Sequence, residues 1–100
     1  MSVVFWMYIL RCADGSFYIG HTDDIERRLD EHHAGRFACY TLSRRPVVLV
    51  HAQAFESREE ALSAERQVKG WSHSKKQALI DGDWGRVGQL ARGKHRHERG

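Results

Sequence analysis

A chain of 100 residues, 41% hydrophobic and 29% charged, has the composition of one globular domain. That excludes a disordered or fibrous chain and leaves room for a single core, on which any site must sit. The formal charge of +3 is carried wholly by residues 92–100, where Arg92, Lys94, Arg96 and Arg99 stand against Glu98, and a basic tail of this kind is by itself weak support for a nucleic-acid partner.

The apolar N-terminal run over residues 3–10 is too short to span a membrane and lacks the flanks of a signal peptide. Cys12 and Cys39 are the only cysteines and have no Cys-x-x-Cys spacing. They read as free thiols in a reducing compartment, so the expectation is a cytoplasmic protein.

In chain order, residues 3–12 are rich in β-branched and aromatic types, Ala13-Asp14-Gly15-Ser16 supplies turn chemistry, and residues 17–21 resume the strand composition. The pattern predicts a β-hairpin. Its register depends on the loop. A two-residue loop, Asp14-Gly15, would put Tyr8 and Tyr18 on different faces, whereas a three-residue loop with Gly15 left-handed makes opposite residues sum to 28 and puts both tyrosines on one face. Joint function favours the second.

Thr22, Asp23 and Asp24 can cap a helix that carries Ile25 and Leu29 and stops near Gly35. Pro46 then ends any helix, and residues 47–55 have strand composition. Ser57-Arg-Glu-Glu60 is a capping-box sequence that opens a second helix through Ala61, Leu62 and Val68 to Gly70. A shorter helix is expected over residues 74–80, and Trp84, Val87 and Leu90 suggest a last helical turn or two before the tail.

Three polar residues stand where apolar ones belong. On the first helix Ile25, Arg28, Leu29 and His32 have the spacing of one buried stripe, yet two of them are polar. Arg28 could snorkel from the edge of the stripe while His32 ends the helix; as i, i+4 neighbours, however, their heads converge. On the second helix Glu65 interrupts the stripe of Ala61, Leu62 and Val68. A carboxylate turned inward must be paired, hydrogen-bonded or bound to metal, so the readings are an ion pair with Arg28 or Lys69, or a metal ligand.

Tyr8, Tyr18-Ile19-Gly20, Thr22, Arg28, His32 and the later Glu65 together resemble the GIY-YIG nuclease superfamily, above all its small stand-alone bacterial members. Those share the pattern Tyr-Ile-Leu-Arg-Cys-x-Asp-Gly-Ser, here residues 8–16. The resemblance implies an α+β fold with a small three-stranded antiparallel sheet flanked by helices. It places that domain in residues 1–82, with residues 83–100 an extension ending in a basic, flexible tail.

The resemblance also implies a metal-dependent endonuclease of the kind that serves DNA repair or recombination. One ion, Mg²⁺ or Mn²⁺, would be held by Glu65. Arg28 would stabilise the phosphate, Tyr8 or Tyr18 would take part in activating water, and His32 would assist. Gly20, His21, Thr22, Arg44, Arg45, Lys75 and Lys76 complete the expected substrate surface. The implied partner is nucleic acid, DNA ahead of RNA, with no membrane.

Two departures stand out: Trp6-Met7-Tyr8 keeps only the tyrosine of the first motif, and His21 stands where some of these nucleases have lysine. A chain this short is also expected to lack the separate target-finding domain that such nucleases often carry. The alternative is a non-catalytic nucleic-acid-binding module using Arg44, Arg45, Lys75, Lys76 and the tail. A metal-handling role for His32-His33 and the tail's His95 and His97 ranks last, since adjacent helical histidines diverge.

Overall fold

A computed structural model describes residues 3–36 and 40–90 and resolves the chain into two compact units, Met1–Lys69 and Gly70–Gly100. Cys39 and the basic tail lie outside the described residues.

In the first unit the order is β1 (Phe5–Arg11), β2 (Phe17–Thr22), α1 (Ile25–His33), β3 (Val48–Phe55) and α2 (Arg58–Lys69). The sheet is antiparallel in the order β2-β1-β3, so β1 is central and β2 forms one edge. Tyr8 faces Gly20 and Leu10 faces Tyr18, which is the register summing to 28. The loop chemistry explains it. Gly15 has φ 85°, its N–H donates to the Cys12 carbonyl and the Cys12 N–H donates to Ser16, so Ala13, Asp14 and Gly15 form the three-residue loop. Between β1 and β3 the register shifts once, leaving Val50 as a bulge residue.

Side chains alternate across the sheet. One face carries Tyr8, Leu10 and Tyr18, which join Cys12 and Val47 in a core against Ile25 and Leu29 of α1. The other face carries Met7, Ile9 and Ile19, all buried, and α2 lies over β2 and β1 there. Contacts of α2 with odd-numbered residues fix that side: the Arg58 guanidinium sits 4.9 Å from the Phe5 ring centre, and Glu65 meets His21.

Both helices of this unit begin where the sequence caps them. Asp24 accepts from the Arg27 N–H to start α1, and the Ser57 hydroxyl accepts from the Glu60 N–H while donating to the Glu60 carboxylate. Helix α1 ends at Ala34, followed by Gly35 at φ 71°. The Arg45 guanidinium then ties the chain down by donating to the carbonyls of His33 and Leu42.

The second unit holds α3 (His73–Ile80), capped by Ser72, and a helical stretch over residues 84–90, called α4. In it the Lys75 ammonium lies 4.0 Å from the centre of the Trp71 ring.

Candidate active site on the edge strand

The two anomalous stripes are real, and each is resolved by polar partners. On α1, His32 is 1% exposed, and both ring nitrogens are engaged: Nε2 with the Tyr8 hydroxyl at 3.2 Å and Nδ1 with the Thr41 hydroxyl at 2.7 Å. Tyr8, 2% exposed, and Thr41, 0% exposed, make this a buried chain of phenol, imidazole and hydroxyl. Burial pushes His32 below the ordinary histidine range, the Arg28 cation pushes the same way and Glu31 opposes, so the ring is neutral near pH 7. Neutral imidazole offers one donor and one acceptor, which is what two hydroxyl partners need.

Tyr18 closes the group. Its ring meets His32 edge to face at 5.2 Å and Tyr8 at 6.3 Å, and unlike Tyr8 it is only partly buried. Gly20 is required here because a Cβ at that position would stand 2.6 Å from the Tyr8 hydroxyl oxygen. Its smallness therefore serves Tyr8. Arg28 lies one turn before His32, half-buried, with Nε donating to Glu31 at 3.2 Å.

On α2, Glu65 is 8% exposed, and each of its oxygens has a partner. Oε1 accepts from His21 Nδ1 at 2.7 Å and Oε2 from the Lys69 ammonium at 2.9 Å. Burial pushes the carboxyl up, but the His21 hydrogen bond and the hydrogen bond and charge of Lys69 outweigh it, holding Glu65 below the ordinary carboxylate range. It is an anion at neutral pH.

The contacts thus gather the expected residues in two groups. Tyr8, Tyr18 and His32, with Arg28 beside them, form one; Glu65, His21 and Lys69 form the other. Both are anchored on β2, which contributes Tyr18 to the first and His21, three residues on, to the second. A strand rise of about 3.3 Å per residue separates those two Cα positions by roughly 10 Å, and alternation points the two side chains from opposite faces. The groups therefore flank the free edge of the sheet.

Other expected residues have local partners. Thr22 is buried, and its hydroxyl accepts from the Asp24 N–H, shaping the entry to α1. Arg44 bonds Asp14 at 3.0 Å while its guanidinium stacks 3.8 Å above the Tyr40 ring, which fastens the hairpin loop to the segment before β3. Arg45 caps α1 as described above, and Lys75 and Lys76 belong to the second unit. Thr41 was not anticipated from sequence. Its one advance signal is that a histidine inside a buried stripe must find a partner for each ring nitrogen.

Among the described residues, no cluster of three or more His, Cys, Asp or Glu could hold a metal, and no helix is long and apolar enough to cross a membrane. The family model for the GIY-YIG catalytic domain matches residues 4–78. A UPF0213 protein of Haloquadratum walsbyi is 46% identical over 81 residues, covering 81% of this chain and 91% of its own length. Another, from Streptococcus pneumoniae, is 48% identical over 75 residues, covering 75% and 76%. The solution structure of a UPF0213 protein from Bacillus halodurans, 45% identical, superposes with a TM-score of 0.51 over 78% of this chain and 83% of that one. For a protein of E. faecalis, 42% identical, the TM-score is 0.56 over 79% and 84%.

Proposed function

The chain belongs to the GIY-YIG family, and on that premise we propose that it is an endonuclease hydrolysing nucleic-acid phosphodiesters, DNA ahead of RNA, with one divalent cation held by Glu65. The observation that carries this reading is Glu65 itself, a carboxylate kept ionised inside an otherwise apolar stripe and next to the edge strand that also presents Tyr18. A buried pair of this kind adds little to stability over apolar packing, which leaves the charge in want of another use.

The donor set suits a hard cation that keeps most of its water. Mg²⁺ commonly takes one or two carboxylates, with water and phosphate oxygens completing its shell, so a single glutamate suffices. The half-exposed Lys69 ammonium at Oε2 marks that oxygen as one that already takes up positive charge from the solvent side. When bound, the cation would act as a Lewis acid and offset charge on the phosphate.

The chain's own residues divide the remaining work. Tyr8 is sealed and committed to His32, so Tyr18 is the phenol that substrate and water can reach. It orients the attacking water and receives its proton. A phenol with an ordinary pKa of about 10 is a poor base, so the Arg28 guanidinium, with the cation when bound, would have to favour its ionised form. Arg28 supplies a fixed cation for the negative charge that grows on the phosphate oxygens in the transition state. His32 keeps the two tyrosine rings in place.

A second reading is favoured by one observation: Glu65 with His21 and Lys69, and Arg28 with Glu31, already balance their charges internally, as in a fold that only binds. Incubating the purified protein with branched, single-stranded and duplex substrates, with Mg²⁺, Mn²⁺ or EDTA, decides between them. Metal-dependent products that vanish with EDTA support the enzyme. Retarded but intact substrate under every condition supports the binding module.

A further inference from the structure

We propose that Thr41 is a positioning residue: its hydroxyl accepts the Nδ1 proton of His32 and so selects the tautomer whose Nε2 accepts from the Tyr8 phenol. The contacts fix the partners, and the acidity of the two hydroxyls sets the direction of the chain. Nδ1 to Oγ1 is 2.7 Å and Nε2 to the phenol oxygen is 3.2 Å, with all three residues no more than 2% exposed. A phenol is a far stronger acid than an aliphatic alcohol, so of the two hydroxyls the tyrosine is the better donor to imidazole nitrogen. The ring's single N–H then belongs at Nδ1, pointing to Thr41.

This assignment has a consequence for the exposed tyrosine. With its proton directed to Nε2, Tyr8 is held in one orientation over Gly20, and His32 presents a fixed ring to Tyr18, which it meets at 5.2 Å. In the other tautomer Nε2 becomes a donor, and the phenol proton of Tyr8 must turn away from the ring. Thr41 thereby acts on Tyr18 through two intermediaries without touching substrate. It comes from the segment before β3, which Arg44 and Arg45 tie down at Asp14 and at the end of α1.

The test uses the full chain and has two arms. Long-range ¹⁵N–¹H correlation spectra of the His32 imidazole, recorded near neutral pH, report the tautomer directly. Wild type and Thr41→Ser are expected in the Nδ1–H form, and Thr41→Val in the Nε2–H form or a mixture. A wild-type ring in the Nε2–H form, or a Thr41→Val spectrum unchanged from wild type, overturns the proposal. The kinetic arm rests on the nuclease reading: Thr41→Val should lower kcat by roughly tenfold to a hundredfold, the usual effect of losing an orienting partner, with KM unchanged and with recovery in Thr41→Ser. If the wild type cuts nothing, the nuclease reading fails while the spectra still decide the tautomer. If Thr41→Val does not fold, the Thr41→Ser and wild-type spectra carry the decision.

Discussion

His21 and Glu65, 44 residues apart, meet at 2.7 Å, the imidazole Nδ1 donating to the carboxylate. The edge strand and the second helix are joined there by a charged hydrogen bond in a partly buried place. Replacing Glu65 by Gln keeps the shape and removes the charge. Cleavage should collapse by a hundredfold or more in order of magnitude, while nucleic-acid binding persists or tightens as repulsion of phosphate is lost. Gel-shift and cleavage assays on the same preparation check this, and equal loss of both would instead mark Glu65 as structural.

Lys69 should compete with the cation. Lys69→Met removes the ammonium from Oε2, so direct Mn²⁺ binding, followed by calorimetry or by the broadening of Glu65 signals, should strengthen. An unchanged or weaker affinity would remove Glu65 from the metal site.

On the nuclease reading Arg28→Ala should abolish cleavage with a smaller loss of binding, since that reading sets Arg28 against the charge that develops in the transition state. Thermal unfolding measured beside it separates chemistry from structure. The Arg28 to Glu31 pair is partly solvated, and its loss should move stability by less than about 1 kcal/mol.

The two tyrosines should separate cleanly. Tyr8→Phe strands Nε2 of His32 inside the core and should destabilise by about 1–3 kcal/mol. Tyr18→Phe should leave the melting temperature near wild type and stop cleavage. The opposite pattern would make Tyr8 the water-activating group.

Acid should act in two windows. His32 has its folded pKa depressed below the ordinary 6.5, so the unfolded chain takes up a proton that the folded one refuses. Its contribution is complete above 6.5 and falls away as the pH drops through the folded value. Half-buried His51 on β3 adds in the same direction. Glu65, depressed below 4.5, adds a further loss at still lower pH. Melting temperature should therefore begin to decline just below 6.5, and a flat profile there would show that these histidines titrate normally.

Both caps and the inward turn of Glu65 and His32 were legible because each follows from local rules: a side-chain oxygen before a helix, and a 3.6-residue period. The hairpin register was not fixed locally, since two loop lengths fitted the turn residues and only the expected cooperation of the tyrosines chose between them. The grouping of the site was not legible. Sequence spacing turns Glu65 inward on its helix, but does not show that α1 and α2 take opposite faces of the sheet, which depends on contacts distant in sequence. Thr41 was hidden for a similar reason, being a loop residue with no period to betray it. That Arg44 and Arg45 also hold the fold was hidden as well, because an isolated arginine pair cannot announce a partner such as Asp14, 30 residues from Arg44, or the end of a helix.

That β1 is the middle strand and β2 an edge has a bearing on how such a protein can diverge. Met7, Ile9 and Leu10 on the middle strand are shut in by neighbours on every side, and inheritance must preserve them as a block. Tyr18 and His21 stand on a strand paired on one side only among the described residues and are partly exposed, so a different side chain can extend into solvent there. A lineage can therefore exchange one polar group for another there while its descendants go on folding in the same way.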